Sequence, residues 1–115
     1  MRLLVASLLL CLSPLAAADD FVPAPMPSYT RYMQKCTAAE MEDNMELRAM
    51  NHGRGQIYAS ARCQCQFENL PKPGRDVPFE DFDRAMTTCE AEDRADAVKF
   101  TEKYVGHINK RNGKR

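Results

Sequence analysis

The stretch QIYASARCQCQFENL, residues 56–70, determines the fold that the sequence predicts. It is rich in helix-forming residues and is followed by Pro71, so we expect a helix over this range. A helix that is apolar on two sides packs between two others, which makes this segment the central helix of a small bundle. At 100° per residue its apolar residues fall into two groups, with Ile57, Ala61 and Cys65 on one side and Ala59, Cys63, Phe67 and Leu70 roughly opposite.

Two cysteines of this helix, Cys63 and Cys65, determine how it is cross-linked. Positions i and i+2 of a helix project about 200° apart, so these two sulfurs cannot bond to each other. Each must therefore bond to a cysteine of a neighbouring element, and Cys36 and Cys89 are the available partners. Of the five cysteines, Cys11 lies in the predicted signal peptide, and the four that remain in the mature chain are an even number, which is typical of a disulfide framework in a small exported protein. The sequence leaves two pairings open, Cys36–Cys63 with Cys65–Cys89 or Cys36–Cys65 with Cys63–Cys89.

Before the central helix, the sequence predicts a helix that begins at about Ser28. Its apolar residues lie on two stripes. Either one helix changes its buried face, or a second helix begins at Thr37, where Thr37 and Glu40 fit a capping box. We expect Gly53 to end this region in the left-handed conformation. The first stripe holds Tyr29, Tyr32, Met33, Cys36, Leu47 and Met50, and the second holds Ala38, Met41, Met45 and Ala49.

After a turn at residues 72–76, a long apolar stripe predicts a helix from about Pro78 to Lys110. Asp93 is the one polar residue on this stripe, so the alternative is a break near Asp93 and a fourth helix that packs back. Asp93 is interpreted either as the cap at that break or as a buried acid with a partner such as Tyr32. The stripe consists of Phe79, Phe82, Met86, Cys89, Ala97, Phe100, Tyr104 and Ile108.

Residues 1–18 predict a cleavable secretory signal peptide. Arg2 forms the basic n-region, residues 3–12 are apolar, and residues 16–18 are the Ala-Ala-Ala of a signal peptidase site. The apolar run is too short to cross a bilayer, which takes about 20 residues. A lipobox ending at Cys11 is the alternative, but Leu10 is not the small residue that lipidation requires.

Cleavage would leave one domain of 97 residues. Residues 19–28 hold three prolines and predict an extended, loosely ordered leader. Residues 29–112 predict the helical, disulfide-bonded domain. The predicted fold class is all-α, a small three- or four-helix bundle stapled by disulfides and preceded by a signal peptide, located in the periplasm or outside the cell.

The charge of the predicted mature chain is balanced, with 15 basic and 16 acidic side chains. This balance argues against nucleic-acid binding, which needs a basic excess. Residues 76–96 hold eight acids and two bases, whereas residues 99–115 hold six bases and one acid. We interpret this division as two solvated faces, or as a basic tail that contacts an anionic membrane or partner, without stable membrane insertion after signal cleavage.

The sequence offers little for catalysis, since it lacks a nucleophilic triad, a phosphate-binding Gly-rich loop and an H-E-x-x-H motif. A redox role for the Cys-Gln-Cys segment would need a helix N-terminus or a cation beside it, and the segment is predicted to lie mid-helix. Copper is the remaining candidate because thioethers bind Cu(I), and Met41, Met45 and His52 would be its ligands. Methionines at helical spacing, however, more often fill cores.

The prediction is therefore an exported, non-enzymatic protein with no cofactor. We expect it to bind a protein partner, which the sequence does not identify, or to act as a structural or stress factor of the cell envelope. Periplasmic copper handling through the Met cluster is the alternative.

Overall fold

The computed structural model describes residues 21–113, which form five helices and one two-stranded antiparallel ribbon. The all-α prediction is confirmed. The predicted signal peptide, Cys11 and the first two leader residues lie outside the described residues. The elements are β1 (Ala24–Pro25), α1 (Tyr29–Asp43), α2 (Met45–Ala49), α3 (His52–Glu68), β2 (Asp76–Val77), α4 (Phe79–Ala95) and α5 (Ala97–Arg111).

Helix α3 lies at the centre and contacts each of the other four helices. It forms both disulfides, because Cys63 bonds to Cys36 of α1 and Cys65 bonds to Cys89 of α4. This is the first of the two pairings that the sequence leaves open, and the two sulfurs reach different helices as their 200° separation requires. The buried core between α3, α4 and α5 consists of Ala61, Cys65, Cys89, Phe100 and Tyr104.

Disulfides form and persist in oxidising compartments, so these two bonds indicate an exported location. Among residues 21–113, no helix combines the length and the apolar character that a membrane crossing needs.

The break between the first two helices falls at Asn44, and not at Thr37. The Asn44 side chain accepts hydrogen bonds from the backbone N–H groups of Glu46 and Leu47, so it caps α2. Thr37 lies inside α1, and the carboxylate of Glu40 binds a side chain of α3 instead of closing a capping box.

The predicted role of Gly53 is wrong. Gly53 lies in the first turn of α3 and its φ is not positive, whereas Gly74 and Gly113 are the described glycines with positive φ. Asn51 starts α3 by accepting a hydrogen bond from the Gly53 N–H. The helix thus begins four residues earlier than expected, because a side-chain cap replaces the expected glycine stop.

The long apolar stripe is divided between two helices. Asp96 has an extended backbone, and its side chain accepts a hydrogen bond from the N–H of Lys99, so it ends α4 and caps α5. The single long helix is wrong, and the alternative, a break followed by a helix that packs back, describes residues 79–111. The break lies three residues beyond Asp93, which remains inside α4. With the further break at Asn44 the described residues form five helices, where three or four were predicted.

The leader is extended but is held in place. Strand β1 pairs with β2, and Ala24 lies opposite Val77. The N–H of Met26 donates to the carbonyl of Arg75 at 2.7 Å, and the Met26 carbonyl accepts from Gly74 at 2.8 Å. The Met26 side chain is only 4% exposed. The expected loose order is therefore not found in the described part of the leader, because the turn before β2 supplies its hydrogen-bond partners.

Candidate binding cleft

An open, mostly apolar cleft of about 700 Å³ lies between α1 and α4. Both helices pack chiefly on α3, which leaves a gap between them. The leader lies at the N-terminal end of α4, where the rings of Phe21 and Phe79 meet edge to face with centroids 5.5 Å apart. The two helices and the segment that follows α3 line the cleft with Tyr32, Cys36, Ala39, Leu70, Phe82 and Met86.

Gln66 forms a polar floor beneath this apolar lining. Its Oε1 accepts a hydrogen bond from the Tyr32 hydroxyl at 2.9 Å, and its Nε2 donates to Glu40 Oε1 at 3.4 Å. The side chain is 4% exposed. Burial, and secondarily the nearby Glu40 carboxylate, raises the pKa of Tyr32 to about 12. The hydrogen bond from the Tyr32 hydroxyl to Gln66 holds the Tyr32 ring in the cleft wall.

Arg62 joins the two walls through an ionic triad. Its Nε lies 3.3 Å from Glu40 of α1, and one terminal nitrogen lies 3.6 Å from Asp93 of α4. The Tyr58 hydroxyl also donates to Asp93. Burial, followed by this hydrogen bond, raises the pKa of Tyr58 to about 12. Asp93 is therefore a half-buried partner of α3, neither a cap nor a partner of Tyr32.

The disulfides set the positions of the cleft walls. The Cα atoms of Cys36 and Cys63 are 5.8 Å apart, and those of Cys65 and Cys89 are 5.9 Å apart. Each wall helix is thus covalently tied to the floor helix. These two bonds limit how far α1 and α4 can move relative to α3 and therefore relative to each other.

A second polar network lies where α1, α3 and the end of α5 meet. The Tyr29 hydroxyl donates to Gln64 Oε1 at 2.6 Å, and Gln64 Nε2 donates to Glu68 at 2.9 Å. His107 Nδ1 lies 2.8 Å from the same Glu68 carboxylate, and Arg111 stacks 3.8 Å above the Tyr29 ring. These contacts hold the end of α5 against α1 and α3.

The methionines of the copper hypothesis do not share one helix. Met41 is half-buried in α1, whereas Met45 begins α2 after the break at Asn44 and is 75% exposed. The side chain of His52 lies outside what the structure describes. Within the described residues, His, Cys, Asp and Glu form no group of three that could hold a metal ion. Copper binding stays a prediction.

A smaller groove of about 480 Å³ lies between the start of α3 and the start of α5. Ile57 and Val98 line it and are 51% and 68% exposed. Neither the disulfides nor Gln66 line this groove, so a substitution here can serve as a control for a substitution in the larger cleft.

Comparison with known proteins gives no match to a protein-family model, a curated protein or a solved structure. The cleft and its polar floor are therefore the features on which a function can be based.

Proposed function

We propose that the protein is an exported, non-enzymatic binding protein of the periplasm or extracellular space, and that an apolar segment of its partner occupies the α1–α4 cleft. The observation that supports this role most strongly is the exposed apolar lining. Monomeric proteins rarely leave large contiguous apolar patches exposed unless the patch binds something.

The dimensions and construction of the cleft support the same role. Its volume lies within the range of roughly 300–1,000 Å³ that ligand sites occupy. Its polar atoms are few, and Gln66 is already hydrogen-bonded at both ends of its amide. Two disulfides tie the walls to α3, which reduces the conformational entropy that the walls lose when a partner binds.

The proposal can be tested with Nile red, a neutral dye whose fluorescence rises in apolar surroundings. We expect saturable binding of one dye per oxidised protein. The variant Met86→Glu should lose most of this binding, because a carboxylate would be placed in the apolar wall. The control Val98→Glu makes the same kind of change in the smaller groove and should bind dye like the parent protein.

Far-UV circular dichroism of both variants would establish that each is folded. No saturable dye binding to the parent protein would refute the proposal. Equal loss of binding in Val98→Glu would also refute it, because the dye would then not report on the α1–α4 cleft.

A further inference from the structure

We infer that the segment received by the cleft is a basic amphipathic helix of a partner polypeptide, an inference that rests on the proposed function. The length of the apolar walls and the charge around them support this choice of partner.

The cleft walls repeat their apolar residues at helical intervals. Tyr32, Cys36 and Ala39 line the α1 side, and Phe82 and Met86 line the α4 side one turn apart. Tyr32 and Ala39 are seven positions apart, which corresponds to about 10 Å along a helix axis. An amphipathic helix presents apolar side chains at i, i+3 or i+4 and i+7. Two turns of such a helix therefore match the length of this wall.

The edges of the two wall helices, here called the rim, hold four acids. On α4, Asp83 lies three residues before Met86 and Glu90 lies four residues after it, so both acids are surface neighbours of this cleft-lining side chain. On α1, Asp43 lies four residues after Ala39 and itself lines the cleft. These three acids, and also Glu42, are exposed.

These rim acids have no ion-pair partner within residues 21–113. Lys35 is the one basic side chain among the residues that line the cleft, and Glu40 is already paired with Arg62. Counted against Lys35, the four acids Glu42, Asp43, Asp83 and Glu90 give the α1 and α4 edges of the cleft a net negative charge, which attracts a basic partner and repels anionic lipid headgroups.

The most basic segment of this chain does not fit both features. Residues 109–115 are Asn-Lys-Arg-Asn-Gly-Lys-Arg and have no apolar side chain to fill the cleft, so this segment of a second copy is not the occupant we infer. A helix with an apolar stripe between basic flanks satisfies both the walls and the rim.

Fluorescence anisotropy with three labelled model peptides tests the inference on the oxidised protein. The first peptide has Leu at helical intervals and Lys elsewhere, the second has Glu in place of Lys, and the third has the first composition in scrambled order. We expect the first to bind at least about tenfold more tightly than either of the others. Its affinity should also fall as the salt concentration rises, because exposed charges are screened.

Charge variants test the rim directly. Asp83→Asn combined with Glu90→Gln should weaken binding of the basic peptide about fivefold, since exposed pairs each contribute little. Nile red binding should be unchanged because the apolar walls remain. The control, Glu46→Gln combined with Glu102→Gln, makes the same change in net charge at two exposed acids away from the cleft, and should leave peptide affinity unchanged.

The outcomes separate this inference from the proposed function. Saturable dye binding without preference for the basic amphipathic peptide would overturn the inference alone. Preferential binding to anionic vesicles, or a dimer in sedimentation that Met86→Glu abolishes, would also overturn it. If neither dye nor peptide binds, the proposed function fails as well.

Discussion

A Cβ atom on Gly55 would lie 2.5 Å from the carbonyl oxygen of Leu47, so α2 and α3 meet where a side chain is absent. Gly55 is buried, and the Met41 side chain would lie 3.4 Å from the same Cβ position. This approach allows the short α2 to fold back on the first turn of α3. The obstacle to a larger residue is backbone, which cannot move aside as the end of a flexible side chain can.

We expect Gly55→Ala to lower the free energy of unfolding by about 1–3 kcal/mol because it overpacks this contact. Gly106→Ala is the matched control, since Gly106 lies inside α5 and its Cβ would meet nothing within 4 Å. That change should raise stability by about 0.5–1 kcal/mol through helix propensity. Urea unfolding of the oxidised proteins measures both, and a stabilising effect of Gly55→Ala would contradict the described contact.

The two disulfides should contribute similar stability. Their sequence separations are 27 and 24 residues, for which loop-closure entropy predicts about 3.5 kcal/mol each. In the mature chain, residues 19–115, we expect Cys36→Ala with Cys63→Ala, and Cys65→Ala with Cys89→Ala, each to leave a folded protein with one disulfide and no free thiol. Urea unfolding and thiol titration under denaturing conditions measure the two quantities.

A crossed double variant is the control for the pairing. Cys36→Ala with Cys65→Ala leaves Cys63 and Cys89, which are not partners in the structure. It should therefore contain two titratable thiols. Complete oxidation of this variant together with parent-like stability would show that the pairing is not fixed by the fold.

Residue spacing predicts the arrangement of the helices better than it predicts the cleft. Cys63 and Cys65 project in opposite directions because of helix geometry alone, so their spacing predicts that they are cross-linked to two different neighbouring elements. Spacing does not show which neighbour lies on which side, and both pairings therefore remained open. Helix breaks at Asn44 and Asp96 depend on side-chain caps that compete with other local signals, such as the glycine at position 53.

The cleft could not be predicted because periodicity identifies an apolar face and not what covers it. Phe79 and Phe82 belong to the same stripe as the buried Phe100, yet they are 50% and 41% exposed. Gln64 and Gln66 have the opposite property, since they are polar residues buried in the central helix. Gln64 binds Tyr29, and Gln66 binds Tyr32 and Glu40, and each of these partners is more than 25 residues away in the sequence. Only the Gln64–Glu68 bond is local, so sequence pattern does not predict that both glutamines are buried.

Gln66→Glu should destabilise the polar floor of the cleft. The amide nitrogen that donates to Glu40 would become a carboxylate oxygen at the same position, 3.4 Å from Glu40 Oε1. We expect a loss of about 1–3 kcal/mol in the free energy of unfolding at pH 7, from the lost hydrogen bond and the repulsion between like charges. The loss should shrink as the pH falls to about 4, because protonation of the introduced Glu side chain removes the repulsion.

Gln56→Glu provides the control for this substitution. Gln56 is exposed near the start of α3, where a negative charge interacts favourably with the helix dipole. Its stability should match or slightly exceed that of the parent protein in urea unfolding. A loss in Gln56→Glu equal to that in Gln66→Glu would show that the effect comes from net charge and not from the floor of the cleft.

The tyrosines should make stability fall at alkaline pH. Burial is the main cause that raises the pKa of Tyr32 and of Tyr58 to about 12, with Glu40 and Asp93 respectively adding to the effect. An unfolded tyrosine titrates near pH 10. The folded protein therefore holds these protons more tightly, so their contribution to stability is complete below about pH 10 and is lost as the pH rises to about 12.

Absorbance of tyrosinate near 295 nm measures this difference. In the folded protein we expect Tyr32 and Tyr58 to ionise only near pH 12. Burial also raises the pKa of Tyr29 and of Tyr104, so these two should ionise later than in denaturing urea, where all four tyrosines should ionise near pH 10. Tyr32→Phe should remove one late-ionising group and leave that of Tyr58, because the two hydroxyls bind separate partners, Gln66 and Asp93. Ionisation of the folded protein in a single step near pH 10 would mean that neither hydroxyl is held as the structure shows.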